Sequence, residues 1–433
     1  MAAVDWYSVA DTVGDHERQE MSVTAGDQAA TALDEAAIGR WRDRIRQTTF
    51  ANYHFEMGIA LLMGGDAQAA LGALQRAVEI QPDLAILYPL LAWTEERLGQ
   101  AEAARQRQAD LQARAPALWL DGCANLSARL LKDGKAEGVA WARRFVELAP
   151  ATDIRVSALA GLAAHVEGRI PDALAAWAHA LTVASDIPAS SADDLASALA
   201  DVSNTLFAQW RDDQVRRTEL ALAAARVASR LVPTRPDLRF QIIRCLVRLV
   251  RPQEAVPEIE GYVALVGAGA ADDKNLLLQW GMRDLAAGDL AAAAEHFSRC
   301  AQVDTGWALP ESHRALVALR RGDTAQAAAH AQAGCTREPR NYFANQCRGL
   351  VEFEAGALAE AVASLKQASA QAPNQPLAKL LLAMVLDGAG QAAEAVAAYR
   401  EADAEGGALM HRQLALYPPA YQDRVAALAR KAG

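Results

Sequence analysis

The sequence predicts an all-α fold, an array of about ten helical hairpins, and three observations carry that prediction. Alanine and leucine supply most of the apolar content: 52% of the 433 residues are hydrophobic but only 6% are aromatic. Such a composition suits closely packed helices and lacks the β-branched and aromatic load of sheets. Glycines recur every 34 residues, at Gly288, Gly322, Gly356 and Gly390, and again at Gly65 and Gly99. The neighbours of each glycine keep the same phase. A small residue stands seven positions before it (Gly281, Ala315, Gly349, Ala383; Gly58, Ala92) and an alanine five positions after it (Ala293, Ala327, Ala361, Ala395; Ala70, Ala104). Self-similarity at a fixed period signifies stacked repeats.

Each slot has a physical cause. The first small residue lets a second helix approach closely, and the glycine ends the first helix where a left-handed backbone costs it nothing. The alanine sits at the tightest point of the helix crossing. A proline, as at Pro82, Pro116, Pro150, Pro339 and Pro373, stops the second helix. A hairpin of this kind has one apolar side that it cannot bury alone, so hairpins stack. Residues 1–50 read as an N-terminal segment with an amphipathic capping helix over Asp27–Gln47, and 51–187 as four hairpin units. Residues 188–273 read as two irregular units, 274–409 as four regular ones, and 410–433 as a C-terminal capping helix starting near Pro419. In the third unit Asp133 stands where glycine is usual and Gly138 in the alanine slot. The fifth unit is overlong and the sixth carries the extra GAGAADD (Gly267–Asp273), so a bend or hinge is expected there.

Matching HFEMGIALLMGGDAQAALGALQRAVEIQP in the first unit and LQWGMRDLAAGDLAAAAEHFSRCA in the seventh, the chain resembles the tetratricopeptide repeat family. That family keeps small residues at repeat positions 8, 20 and 27, a bulky one at 24 and proline at 32. The resemblance implies a right-handed superhelical solenoid in which positions 2, 5, 9 and 12 of each first helix line a groove. In the last four units these sixteen positions include Leu278, Met282, Leu285, Leu316, Leu319, Phe343, Leu350, Phe353 and Met384; twelve are apolar, the four exceptions being Asn275, Ser312, Gln346 and Asp387. Large exposed apolar patches mark interaction sites, so these residues are candidates for partner binding. Phe353→Asp is accordingly expected to spare the fold and abolish capture of a partner. The competing expectation is internal packing, or a groove filled by the N-terminal segment with its Trp6, Tyr7 and Trp41.

Between Arg211 and Arg251 ten arginines face four acids. Arg244 and Arg248, four apart, fall on one helix face directed into the groove, and a guanidinium pair suits a carboxylate or phosphate of a partner. Against that stands a solvated outer face paired with acidic neighbours.

The net charge of −10 argues against nucleic acid as a partner, because binding it requires cationic surface. Five cysteines without CxxC spacing read as buried thiols of a reducing compartment. The N-terminus lacks a cationic start followed by an apolar core, and no apolar run reaches the length of a membrane span. The expectation is a cytoplasmic protein. Alanine- and arginine-rich, lysine-poor usage points to a bacterial source. The pairs His296/Cys300 and His330/Cys335 read as core residues rather than metal ligands. The tripeptide Arg321–Gly322–Asp323 reads as part of a repeat turn. No catalytic constellation, metal site or cofactor motif is present, so the chain reads as no enzyme. The expected function is a protein–protein interaction scaffold or adaptor that binds a partner peptide or helix, with a homo-oligomer as a further option. A peptide-responsive regulator or chaperone is one alternative, and an accessory subunit of a glycosyltransferase or envelope-polysaccharide assembly is another.

Overall fold

A Cβ at position 281 would lie 2.5 Å from the Phe297 ring. That single contact explains why a small residue must precede each turn: the bulky side chain of the second helix rests on the backbone of the first. Leu74 sits in the same way on Gly58, and Leu365 on Gly349. The computed structural model describes residues 50–184, 187, 191–208 and 213–433, and all of its described secondary structure is helical. The capping helix expected over Asp27–Gln47 and the aromatics Trp6, Tyr7 and Trp41 lie outside the described residues, as do Arg211 and Asp212.

The chain divides into two compact units, Met1–Ala113 and Arg114–Gly433. In the first, helix α1 (Ala51–Met63) pairs with α2 (Ala67–Ile80), followed by α3 (Leu87–Arg97) and α4 (Ala101–Arg114). The Asp66 carboxylate caps α2 by accepting from the Ala69 N–H at 3.0 Å, a local bond worth about 1 kcal/mol. Buried Glu95 of α3 pairs with Arg107 of α4 at 2.6 Å.

The second unit opens with α5 (Pro116–Lys132) and α6 (Glu137–Leu148), then α7 (Ile154–Val166) and α8 (Ile170–Ala180). The longer pair α9 (Asp193–Ala208) and α10 (Gln214–Leu231) follows, then α11 (Pro236–Arg248), α12 (Pro252–Val266) and a 3-10 turn over Gly267–Asp272. Regular hairpins resume with α13 (Lys274–Ala287) and α14 (Leu290–Val303), α15 (Ala308–Arg321) and α16 (Thr324–Arg337), and α17 (Tyr342–Glu354) and α18 (Leu358–Gln371). The chain closes with α19 (Pro376–Gly388), α20 (Ala392–Leu414) and α21 (Pro419–Ala432). The turn glycine between α13 and α14, Gly288, has φ 83°, a conformation that costs a residue with a Cβ about 1–2 kcal/mol. Prolines also act at the other end of the helices: Pro116, Pro236, Pro252, Pro376 and Pro419 are first residues, where the missing N–H is no loss.

Three departures from the sequence expectation have local causes. In the third unit the turn residue is Gly134 (φ 66°) rather than Asp133, because α5 runs one residue further. The GAGAADD insertion folds as the 3-10 turn, with Ala270 buried and the Tyr262 hydroxyl donating to the following Asp273 at 2.8 Å. Between α11 and α12 the left-handed position is held by Val250, with φ 57°. Val250→Gly is expected to stabilise the protein by about 1 kcal/mol, since the strain of a β-branched residue there exceeds the entropy that glycine costs. A urea midpoint unchanged or lowered by this substitution would refute it.

The two helices of several hairpins are tied by a polar pair near the turn. Asp284 on α13 meets His296 on α14 at 2.7 Å, and the Ser364 hydroxyl on α18 donates to Glu352 on α17 at 2.6 Å. Far from the hairpin turn, at the start of α15, buried Glu311 is held by His330, Arg314 and Arg337. Its hydrogen bond with His330, and then the two arginines, keep that carboxyl below its usual range.

Candidate partner-binding face

The side chains assigned to the groove lie on one face of the first helices, but that face is not open. Leu278, Leu285, Leu316, Leu319, Phe343, Leu350, Phe353 and Met384 are all buried in one continuous apolar cluster, with Met282 partly buried at its edge. The expectation of an exposed apolar surface is therefore corrected: these residues are core. Two physical causes account for their burial. First helices of adjacent hairpins pack on one another, as the contacts of α15 with α17 show. In addition, the C-terminal segment of the chain folds back over the last units.

Its position is fixed by named contacts. The buried Gln346 amide on α17 donates to the Tyr417 hydroxyl at 2.6 Å. Edge to face, the Tyr421 ring meets Phe353 at 6.3 Å, and the Arg424 guanidinium lies 5.1 Å from the centre of the same Phe353 ring. Lys431 pairs with Asp387 on α19 at 2.7 Å, and Arg400 on α20 donates to the Ala432 carbonyl at 3.0 Å. Two of the four polar exceptions in the predicted groove, Gln346 and Asp387, are thus the polar anchors of α21 and the turn before it. A polar residue at an otherwise apolar position was the available signal, but nothing local indicated its partner, 71 residues away.

Just before this segment, the end of α20 reaches α11: Gln413 donates to the Arg248 carbonyl at 3.5 Å. Arg244 and Arg248 are brought together as their spacing implied, and both stack on Phe207 at the end of α9, at 4.3 Å and 3.2 Å from its ring centre. Arg248 also donates to the Phe207 carbonyl, and Arg244 to Gln241 at 3.0 Å. Burial lowers both guanidinium pKa values, that of Arg248 to about 10. Around the pair, the basic run is mostly accounted for by neighbours. Arg226 pairs with Glu254, Arg235 with Asp193 and Asp237, Arg239 with Glu258 and Arg251 with Glu219.

The remaining sequence candidates have structural roles. His296 bonds Asp284 and stacks on Trp280 at 4.7 Å, while the Cys300 thiol donates to the Lys274 carbonyl. His330 bonds Glu311, and Cys335 is buried. Among the described residues no three His, Cys, Asp or Glu side chains converge where they could hold a metal. In the Arg-Gly-Asp stretch, Arg321 donates to the Leu290 carbonyl, Gly322 takes the left-handed turn and Asp323 caps α16. The five thiols Cys123, Cys245, Cys300, Cys335 and Cys347 are all free and buried. Burial raises their pKa values, those of Cys123, Cys245 and Cys300 to about 12.

What kind of hairpin this is follows from the recurrence of one geometry. Left-handed glycines at Gly288, Gly322, Gly356 and Gly390 close successive hairpins at the 34-residue interval, and position 8 meets position 24 across the pairs Gly281–Phe297 and Gly349–Leu365. That is the hairpin geometry which the resemblance to tetratricopeptide repeats implies. No protein-family model matches the chain, and no curated protein matches it either. Among solved structures, yeast Tom70 is similar at 13% identity and a TM-score of 0.37, over 98% of this chain and 97% of that one. A tetratricopeptide repeat protein from Parabacteroides merdae is similar at 14% identity and a TM-score of 0.39, over 78% of this chain and 98% of that one. The MamA protein is similar at 16% identity and a TM-score of 0.31, over 42% of this chain and 93% of that one. Among the described residues no helix of the repeats is long and apolar enough to cross a membrane.

Proposed function

We infer that the protein is a non-catalytic scaffold that holds a segment of a partner protein on the inner face of the second unit, between α11 and the α17–α19 end. One observation carries this reading: that face already holds the C-terminal end of the chain, through Tyr417 on Gln346 and, at the end of α20, Gln413 on the Arg248 carbonyl. Helix-in-groove recognition uses an apolar stripe of this kind, with a few polar groups fixing the register. Leu350, Phe353 and Met384 supply the apolar floor, and Arg244 and Arg248 stand at the opposite edge, where a partner carboxylate would meet them.

Affinity capture from the native cell, with cross-linked residues read by mass spectrometry, tests the reading. Cross-links from one partner are expected on residues 236–433. A partner cross-linked solely to residues 51–113, or recovery of the protein alone, would overturn it.

A further inference from the structure

The C-terminal segment is built as a ligand as much as a cap. Along it, Tyr417, Tyr421, Val425, Leu428 and Ala432 are buried, whereas Gln422, Asp423, Arg424, Ala426, Arg430 and Lys431 are exposed. A single stripe at helical spacing therefore holds it. A helix that merely closes a stack needs apolar contact with the last hairpin. This one reaches back two hairpins, to Gln346 and Phe353 on α17, and it is registered there by specific groups: a phenol on a buried amide, a cation over an aromatic ring and an ammonium on a carboxylate. The buried Gln346 amide is a recognition element in its own right, because leaving such a group unpaired costs about 1–3 kcal/mol. Nor is the segment a rigid continuation of the array. Helix α20 is interrupted at Gly407 (φ 46°, ψ −143°), and Pro418 separates the Tyr417 anchor from α21, whose first residue is Pro419.

We propose that the face formed by Gln346, Phe353 and Asp387 is a receptor for an amphipathic helix that carries a tyrosine at its start, a second tyrosine four residues on, an arginine three beyond that and a lysine a further seven on. The chain's own residues 415–433 are its resident ligand, and a partner helix with the same spacing takes their place. Charge complementarity selects the basic end, since Asp387 accepts the lysine and the Phe353 ring accepts the guanidinium. Tethering favours the resident segment through a high effective concentration, so a partner enters only when its own contacts exceed those of Tyr417 and Lys431. The proposal rests on the scaffold reading for the existence of a partner, but its test does not depend on finding one.

A fluorescently labelled peptide of residues 415–433 is titrated into the full-length chain, with anisotropy as the readout. The wild-type chain is expected to bind it weakly. A chain carrying Tyr417→Ala and Lys431→Glu is expected to bind it at least tenfold more tightly. Adding Asp387→Lys to that chain is expected to remove the gain, and a peptide with Lys431→Glu to restore it. Absence of a gain in the Tyr417→Ala, Lys431→Glu chain, or a gain indifferent to Asp387, would overturn the proposal. Hydrogen exchange of the unmodified chain provides a reading that no substitution can spoil. Amides of 419–432 are expected to exchange ahead of those in α17 and α19, and exchange of all three together would show the segment to be an integral part of the core. Concentration-dependent dimers of the wild-type chain that vanish with Asp387→Lys would assign the face to a second copy and overturn the partner reading. A chain that captures partners yet never takes the peptide would keep the scaffold and lose the receptor.

Discussion

Phe353→Asp is expected to unfold much of the second unit rather than silence a surface. The ring is buried between Tyr421, the Arg424 guanidinium and the backbone of Gly388, where even an added Cβ would come within 2.8 Å of it. Truncating such a ring costs about 3–5 kcal/mol, and the carboxylate adds the penalty of a charge in an apolar site. Loss of this size is a large share of the stability of an ordinary domain. Circular dichroism against temperature should show the main transition falling by ten degrees or more, or disappearing. Unchanged melting would return Phe353 to the surface, as the sequence reading had it.

Acidification from pH 6.5 to pH 4 is expected to weaken the fold through His313. Its imidazole lies between the Phe297 and Phe343 rings, at 4.8 Å and 4.6 Å, and its Nδ1–H donates to the Leu309 carbonyl at 2.8 Å. Burial lowers its pKa to about 4, because desolvation in that slot disfavours the cation more than the Leu309 carbonyl favours it. With a folded pKa below the unfolded value near 6.5, the stabilisation is complete above pH 6.5 and disappears as pH falls towards 4. Across that window the loss amounts to about 3 kcal/mol. Glu311, whose carboxyl is also depressed, loses its contribution only below the ordinary carboxylate range, so the two effects separate on the pH axis. His313→Phe is expected to flatten urea midpoints between pH 4 and 6.5 while leaving the fall below pH 4. A slope that survives the substitution would remove His313 as its cause.

The hairpins were legible because their determinants are local. Gly288 and Asp289 define a turn and a cap within a few residues, and Gly281 with Phe297 defines a packing contact within sixteen. The fate of the inner face was not legible, because position 9 or 12 of a repeat carries the same leucine or phenylalanine whether water, a neighbouring hairpin or a remote helix covers it. Tyr421, Val425 and Leu428 did announce an amphipathic helix, yet their spacing says only that a floor exists. Which floor depends on Gln346 and Asp387, whose partners come 71 and 44 residues later. Arg244 and Arg248 were placed together by their spacing alone. Their use of Phe207 was hidden because that residue belongs to another hairpin, and an aromatic face competes with an anion for a guanidinium.

The buried thiols give the molecule a set of internal clocks. Cys123, Cys245, Cys300, Cys335 and Cys347 fall on five different helices, and each is protected from an alkylating reagent for as long as its own hairpin stays closed. Their protonated, enclosed state makes reaction wait on opening. The order in which a reagent marks them is therefore the order in which the array comes apart, written into the chain one hairpin at a time.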